Sequence, residues 1–200
     1  MDKRVIPNYP ILGPSYILLI GVMDPVSHKP QWALCGWNST ISYSHIMISF
    51  GLNHKTTEIL DKVKHYGYAV SMSIVEREWL DKADLVGTKS SFDTNKSDIF
   101  EYNLGLDGYA PVPNCARMTI TGNIDEVLDL PPCKNFILSI RKTFVNPEIE
   151  NEKGLIDYNK FHPVLFTQPT FEYFSLGEKI GETEKLPFIP PELGDVLGGK

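Results

Sequence analysis

Three short polar stretches carry the hydroxyl, amide and ammonium groups with which this chain could grip an anion. The first, Trp37-Asn38-Ser39-Thr40-Ile41-Ser42, sets three hydroxyls and one amide between two apolar runs. A connector of that kind offers side-chain and backbone donors while both of its ends stay anchored. The second, Asn53 to Thr57, opens a helical pattern. There, free N–H groups and the positive end of the helix macrodipole attract phosphate, and Lys55 adds a point charge. The third, Gly87 to Lys96, repeats hydroxyls and lysines in one loop. Taken singly, each is equally an ordinary turn, an N-cap with solvated neighbours or a solvent-facing loop. Taken together, each directly after an apolar element, they suit a dianionic phosphomonoester better than a diffuse polyanion.

The remaining composition narrows the chemistry. Nineteen basic against 25 acidic residues give a net charge of −6, which argues against a reader of duplex nucleic acid, since that needs a basic face. Cys35, Cys115 and Cys133 are odd in number and far apart, so they read as reduced, mostly buried small side chains rather than a disulfide or C-x-x-C framework. His28, His45, His54, His65 and His162 lack the spacing that places two metal ligands on one helical face, and no metal site is expected. No G-x-S-x-G elbow and no G-x-G-x-x-G fingerprint occurs. A hydrolase is therefore disfavoured, and any nicotinamide cofactor would bind transiently, outside a Rossmann crevice. The run Tyr16 to Ile20 falls far short of a membrane helix and no signal peptide opens the chain, so the expected location is the cytoplasm.

The elements that must position these groups are mostly strands. Tyr16 to Met23, Gln31 to Trp37 and His45 to Phe50 have strand length and composition, with the Trp37–Ser42 stretch as connector. Thr56 to His65 carries Ile59, Leu60 and Val63 on one stripe, predicting a helix capped by Thr56 or Thr57 and stopped by Gly67. A strand follows at Tyr68–Ile74, then a helix from Arg77 to Val86 that closes at Gly87. Further strands are expected at 116–121, 124–130 and 135–145, separated by turns at Gly122-Asn123 and Pro131-Pro132. Two hundred residues arranged this way imply one mainly antiparallel barrel decorated by helices, here residues 1–180, followed by a Pro-rich tail at 181–200 containing Leu186 to Leu193.

In this order the segments resemble the flavin reductase-like, FMN-binding split-barrel family that includes flavoredoxin. Trp37 to Ser42 is similar to its Ser-Trp-Phe-Thr-Pro-Val-Ser stretch, and His54 to Leu60 to its Arg-His-Thr-x-Glu-x-Ile segment. Tyr66 to Val70 resembles Gly-Glu-Phe-Val-Val, and Gly87 to Lys96 resembles Gly-Thr-x-Ser-Gly-Arg-Asp-x-Asp-Lys. His162 to Phe166 and Phe171 to Glu178 are similar to its last strands. Thr40, Ser91 and Phe92 depart from the pattern, and Ser97 to Phe100 reads as a small insertion.

The resemblance implies a homodimeric split β-barrel that binds FMN non-covalently at its subunit interface. It would act as an oxidoreductase of the flavin reductase or flavoredoxin type, fed by NAD(P)H or a redox partner protein. The implied phosphate contacts are Asn38, Ser39, Thr40, Ser42, Thr56, Ser90 and Lys96, with Lys55 as a further candidate. Trp37 and the connector after Phe50 would lie beside the isoalloxazine ring, Ile41 is a further cofactor-binding candidate, and His162 would touch a substrate or nicotinamide. No catalytic side chain is required, because the chemistry belongs to the flavin. The rival class is a non-enzymatic β-barrel binding module of the oligonucleotide-binding type, which would need aromatic side chains in a basic groove.

Overall fold

The computed structural model describes residues 4, 10, 12–89, 92, 94–104 and 109–181. Ser90, the Pro-rich segment Leu186 to Leu193 and nearly all of the 181–200 tail lie outside them. Strands β1 (Ser15–Tyr16), β2 (Leu18–Met23), β3 (Pro30–Cys35), β4 (Asn38–Ser42) and β5 (His45–Gly51) come first, followed by helix α1 (Lys55–Tyr66) and β6 (Val70–Ile74). Helix α2 (Leu80–Thr88) leads to the short pair β7 (Tyr102–Asn103) and β8 (Val112–Pro113). The long pair β9 (Met118–Leu130) and β10 (Cys133–Val145) follows, then β11 (Val164–Phe166) and β12 (Tyr173–Ser175).

Seven strands form one antiparallel sheet in the order β3-β2-β6-β9-β10-β5-β4. Its two edge strands, β3 and β4, are joined by only Gly36 and Trp37. Three peptide steps span at most about 11 Å. The sheet must therefore coil until its edges approach each other at those two residues, and the thiol of Cys35 indeed reaches the Trp37 carbonyl at 3.2 Å.

Two cores explain why β2 is apolar without alternation. Leu18, Ile20 and Val22 face the interior of the coiled sheet with Ile48, Met72, Phe136, Leu138 and the buried stripe of α1. Leu19 faces the opposite side, where Trp32, Trp79, Ala83 and Val86 pack beneath α2. A strand buried on both faces loses the polar half of its period.

Four local expectations change. The Trp37–Ser42 connector is in fact strand β4, paired with β5, because a short exposed edge strand needs no apolar alternation. Gly122-Asn123 is not a turn. Neither residue has positive φ, and β9 runs through both while pairing with β6 and β10. A Cβ on Gly122 would stand 2.5 Å from the Ser139 carbonyl oxygen, so glycine here permits close approach of β10 beside a register shift. Helix α2 starts later than predicted, after a single 3-10 turn at Arg77–Trp79, and continues through Gly87. At α1 the N-cap is His54, without a side-chain cap. The Thr57 hydroxyl instead donates to the Gly51 carbonyl at 2.8 Å. Gly67, at φ +68°, ends α1 as predicted, and Pro131-Pro132 turns β9 into β10.

Candidate functional site

A cleft of about 260 Å³ opens where β5 passes into α1 and α2 ends. It unites Phe50, Lys55 and Thr56 with Lys96, and brings His54 and Lys89 to the same walls. The arrangement follows from the chain path. Phe50 packs into the barrel core, and α1 is held against β10 by Lys134 Nζ on Asp61 Oδ2 at 2.8 Å. The first turn of α1 therefore points at the cleft with no side-chain acceptor on its N-cap. The hydroxyl of the buried Thr56 has no hydrogen-bond partner among the described residues.

Lys96 is the unusual group. Its side chain is buried, and its ammonium donates to the Val86 carbonyl of α2 at 2.6 Å. No carboxylate among the described residues pairs with it, and burial pulls its pKa below the ordinary lysine value. Lys55 stands 6.0 Å from the centroid of the Phe92 ring. Three lysines and a histidine thus line the cleft, and among the described residues no Asp or Glu does, in a chain whose net charge is −6. With a helix N-terminus in its wall, such a cleft complements a compact dianion. The donor set fits the phosphate of FMN.

The remaining candidates spread away from this cleft. Ser39, Thr40 and Ser42 pair with Met47, Ile46 and His45, so they recede from Phe50 along β5 by about 3.3 Å per residue. Ser42 is engaged with His45 Nδ1 at 3.0 Å, and the Ser39 hydroxyl with the Thr40 carbonyl at 3.3 Å. Within one chain, a phosphate seated at Lys96 is out of reach of Ser42. Asn38 Nδ2 donates to the carbonyls of Tyr16, at 2.9 Å, and Cys35, at 3.2 Å. Both amide hydrogens are therefore spent holding the β3–β4 junction, and only its carbonyl oxygen remains for a ligand. Trp37 and Ile41 are exposed large apolar side chains.

Two further hollows with shared walls lie between the Lys96 cleft and Trp37. A recess of about 350 Å³ shares Leu34, Gly87 and Thr88 with the cleft. A third hollow of about 300 Å³, against Trp37 and Asn38, shares Gly36 and Phe166 with that recess. Its walls come from β3, β11 and β12, distant in sequence, and no local motif announced them. His54 and Lys89 did lie inside the polar stretches, although neither was singled out.

His162 is placed elsewhere. It lines a separate hollow of about 520 Å³ with Arg77 and Tyr158. There its Nδ1 lies 2.9 Å from Glu78 Oε1. Burial would raise the Glu78 pKa, but the hydrogen bond from His162 and the charge of Arg117 hold it below the ordinary value. The cysteines also separate. Cys35 is buried, its thiol pushed up to about 12 by burial, whereas Cys115 is exposed and Cys133 half-buried. The expectation of buried small side chains thus holds fully for Cys35 alone.

The chain has the fold of the flavin reductase-like, FMN-binding proteins, mainly β with few helices. It superposes on flavoredoxin from Methanosarcina acetivorans with a TM-score of 0.83 at 22% identity, covering 92% of this chain and 97% of that one. Flavoredoxin of Desulfovibrio vulgaris gives a TM-score of 0.80 at 21% identity, covering 92% of this chain and 98% of that chain. The FMN-binding protein from Thermus thermophilus with bound 1-cyclohex-2-enone gives 0.74 at 18% identity, again over 92% and 98%. No family model and no curated protein matches the sequence. Among the described residues no helix is long and apolar enough to cross a membrane.

Proposed function

We propose that this chain binds FMN and works as a flavin-dependent oxidoreductase, drawing electrons from NAD(P)H or a protein donor. The observation that carries the proposal is the cleft in which buried Lys96, paired with no carboxylate among the described residues, meets Lys55, Thr56 and the N-terminus of α1. The fold likeness to proteins described as flavoredoxin and as FMN-binding supports it. Lys55, Thr56 and Lys96 would hold the phosphate, with Ser90 proposed beside them. Phe50, Trp37, Asn38, Ser39, Thr40, Ile41 and Ser42 would serve the rest of the nucleotide along these hollows and the unpaired edge of β4.

When bound, FMN supplies the redox chemistry through its isoalloxazine. The protein's own part is to fix the phosphate, keep water from the buried ammonium and present an apolar border. We further propose a homodimer. Exposed Trp37, Ile41, Tyr43, Leu128 and Leu130 lie on or beside the β4–β5–β10–β9 face, more apolar surface than a lone subunit needs to show.

The test is a pair of titrations with FMN and riboflavin, which differ by the phosphate alone. Lys96→Ala and Thr56→Ala are expected to weaken FMN about tenfold or more while leaving riboflavin nearly unchanged. Ser39→Ala is expected to act on both ligands alike. Equal losses for both ligands in Lys96→Ala would remove the phosphate from this cleft.

A further inference from the structure

The hollow of about 520 Å³ that holds His162 is organised by a single antiparallel bridge. Glu76 pairs with Pro163 there, so Arg77 stands directly opposite His162, with the Arg77 N–H on the His162 carbonyl at 3.2 Å. Residues opposite each other on antiparallel strands put their side chains on one face, about 5 Å apart at Cβ. Two basic side chains are thereby brought together in the wall of the hollow. It shares no described lining residue with the lysine cleft or with the hollow against Trp37. Of the described residues, only Tyr173 is common to it and the recess, and the Tyr173 hydroxyl is committed to Asp84 Oδ1 at 2.7 Å.

Glu78 balances one member of this pair only. Its Oε1 lies 2.9 Å from His162 Nδ1, which leaves Nε2 as the uncommitted ring nitrogen. Glu78 is also shared with Arg117, whose Nη2 lies 3.9 Å from the same oxygen. The exposed Arg77 guanidinium has no hydrogen bond or ion pair among the described residues, and none of those that line the hollow is Asp or Glu. A protonated His162 and Arg77 set opposite each other repel, and an anion between them removes the repulsion. Much of the remaining wall is apolar. Phe161 and Val164 are buried, while Phe174 and Leu176 stay 51% and 40% exposed. Half-exposed apolar side chains around a hollow of this size are what the hydrocarbon part of a small ligand covers.

We propose that this hollow binds a monocarboxylate with an apolar body, of the medium-chain fatty acid class. Its carboxylate bridges the Arg77 guanidinium and His162 Nε2–H, and its hydrocarbon covers Phe161, Val164, Phe174 and Leu176. A compact anion such as acetate leaves the apolar wall uncovered. A neutral amide of the same shape leaves the two cations unmatched. The proposed flavin site uses other walls, so the carboxylate and FMN bind side by side without competing.

Octanoate and octanamide, which share a hydrocarbon chain and differ in the charge of the head group, are the probes, with acetate as the anion lacking that chain. They are titrated into the full chain and followed by calorimetry and by the ring resonances of His162. Octanoate is expected to saturate with a Kd of about 0.5 mM and to shift those resonances, with octanamide and acetate each at least about tenfold weaker. Arg77→Gln, at an exposed side chain without a partner among the described residues, is expected to keep the melting temperature, weaken octanoate about tenfold and leave octanamide as it was. Saturating FMN is expected to change the octanoate affinity by less than about twofold. The proposal is overturned by equal binding of octanoate and either control, by no octanoate binding up to about 10 mM, or by unchanged octanoate affinity in a folded Arg77→Gln protein. Displacement of octanoate by FMN overturns it as well, since it would move the carboxylate into the flavin site. The first three outcomes are read without flavin and do not depend on whether FMN binds.

Discussion

The ammonium of Lys96 donates to the main-chain carbonyl of Val86 at 2.6 Å, so one buried cation ties the loop after α2 to the last turns of that helix. Lys96 also lines the cleft beside α1. A buried charge whose one partner among the described residues is neutral is costly to the empty protein and valuable to an anion-bound one. Exchanging Lys96 for methionine should leave the flavin-free protein within about 1 kcal/mol of wild-type stability, or above it. FMN affinity should fall at least about tenfold. Urea unfolding with and without FMN reads both effects.

The lowered Lys96 pKa has a definite sign in the pH dependence of folding. The unfolded chain keeps this proton to higher pH than the folded chain does, so the charged lysine costs stability below its folded pKa. That cost is relieved as pH rises toward the ordinary lysine value. The stability of wild type minus that of Lys96→Met is therefore expected to increase with pH across the alkaline range. A difference independent of pH would contradict the desolvated ammonium. Taking the difference removes Tyr16 and Tyr173, whose pKa values burial raises in both proteins.

Glu76 is buried, and Arg117 meets it with Nε on Oε2 at 2.8 Å and its backbone N–H on Oε1 at 3.2 Å. The hydrogen bond to Glu76 holds the Arg117 guanidinium above its ordinary pKa. Arg117→Met strands a carboxylate in the interior and should cost about 3–5 kcal/mol. The double variant Glu76→Leu with Arg117→Met is expected to recover most of that loss in chemical denaturation.

Gly122→Ala drives a methyl against the Ser139 carbonyl where β9 crosses β10. A loss of about 1–3 kcal/mol is expected from the backbone shift needed to admit it. A thermal scan that matched wild type would mean that β9 and β10 are farther apart at this point.

Much of the architecture was written in local pattern. The apolar stripe Ile59, Leu60, Val63 placed α1, Gly67 ended it, and Pro131-Pro132 turned the long hairpin, because periodicity and turn chemistry act between neighbours in the chain. Local pattern failed where long-range pairing overrode it. Polar Asn38–Ser42 became a strand by bonding to β5, and Gly122-Asn123 stayed extended because β6 and β10 hold it on both sides.

The candidate site divides in the same way. The sequence by itself determined which groups could hold a phosphate, since Lys55, Thr56 and Lys96 lie in stretches whose composition suits nothing apolar. Only the tertiary structure decided that these three share a cleft while Ser42 stands apart and His162 lines another hollow. It alone built the aromatic recess, from β3, α2 and the two last strands. The reason is that composition fixes what a side chain can bind, whereas the coiling of a seven-stranded sheet fixes which distant side chains meet.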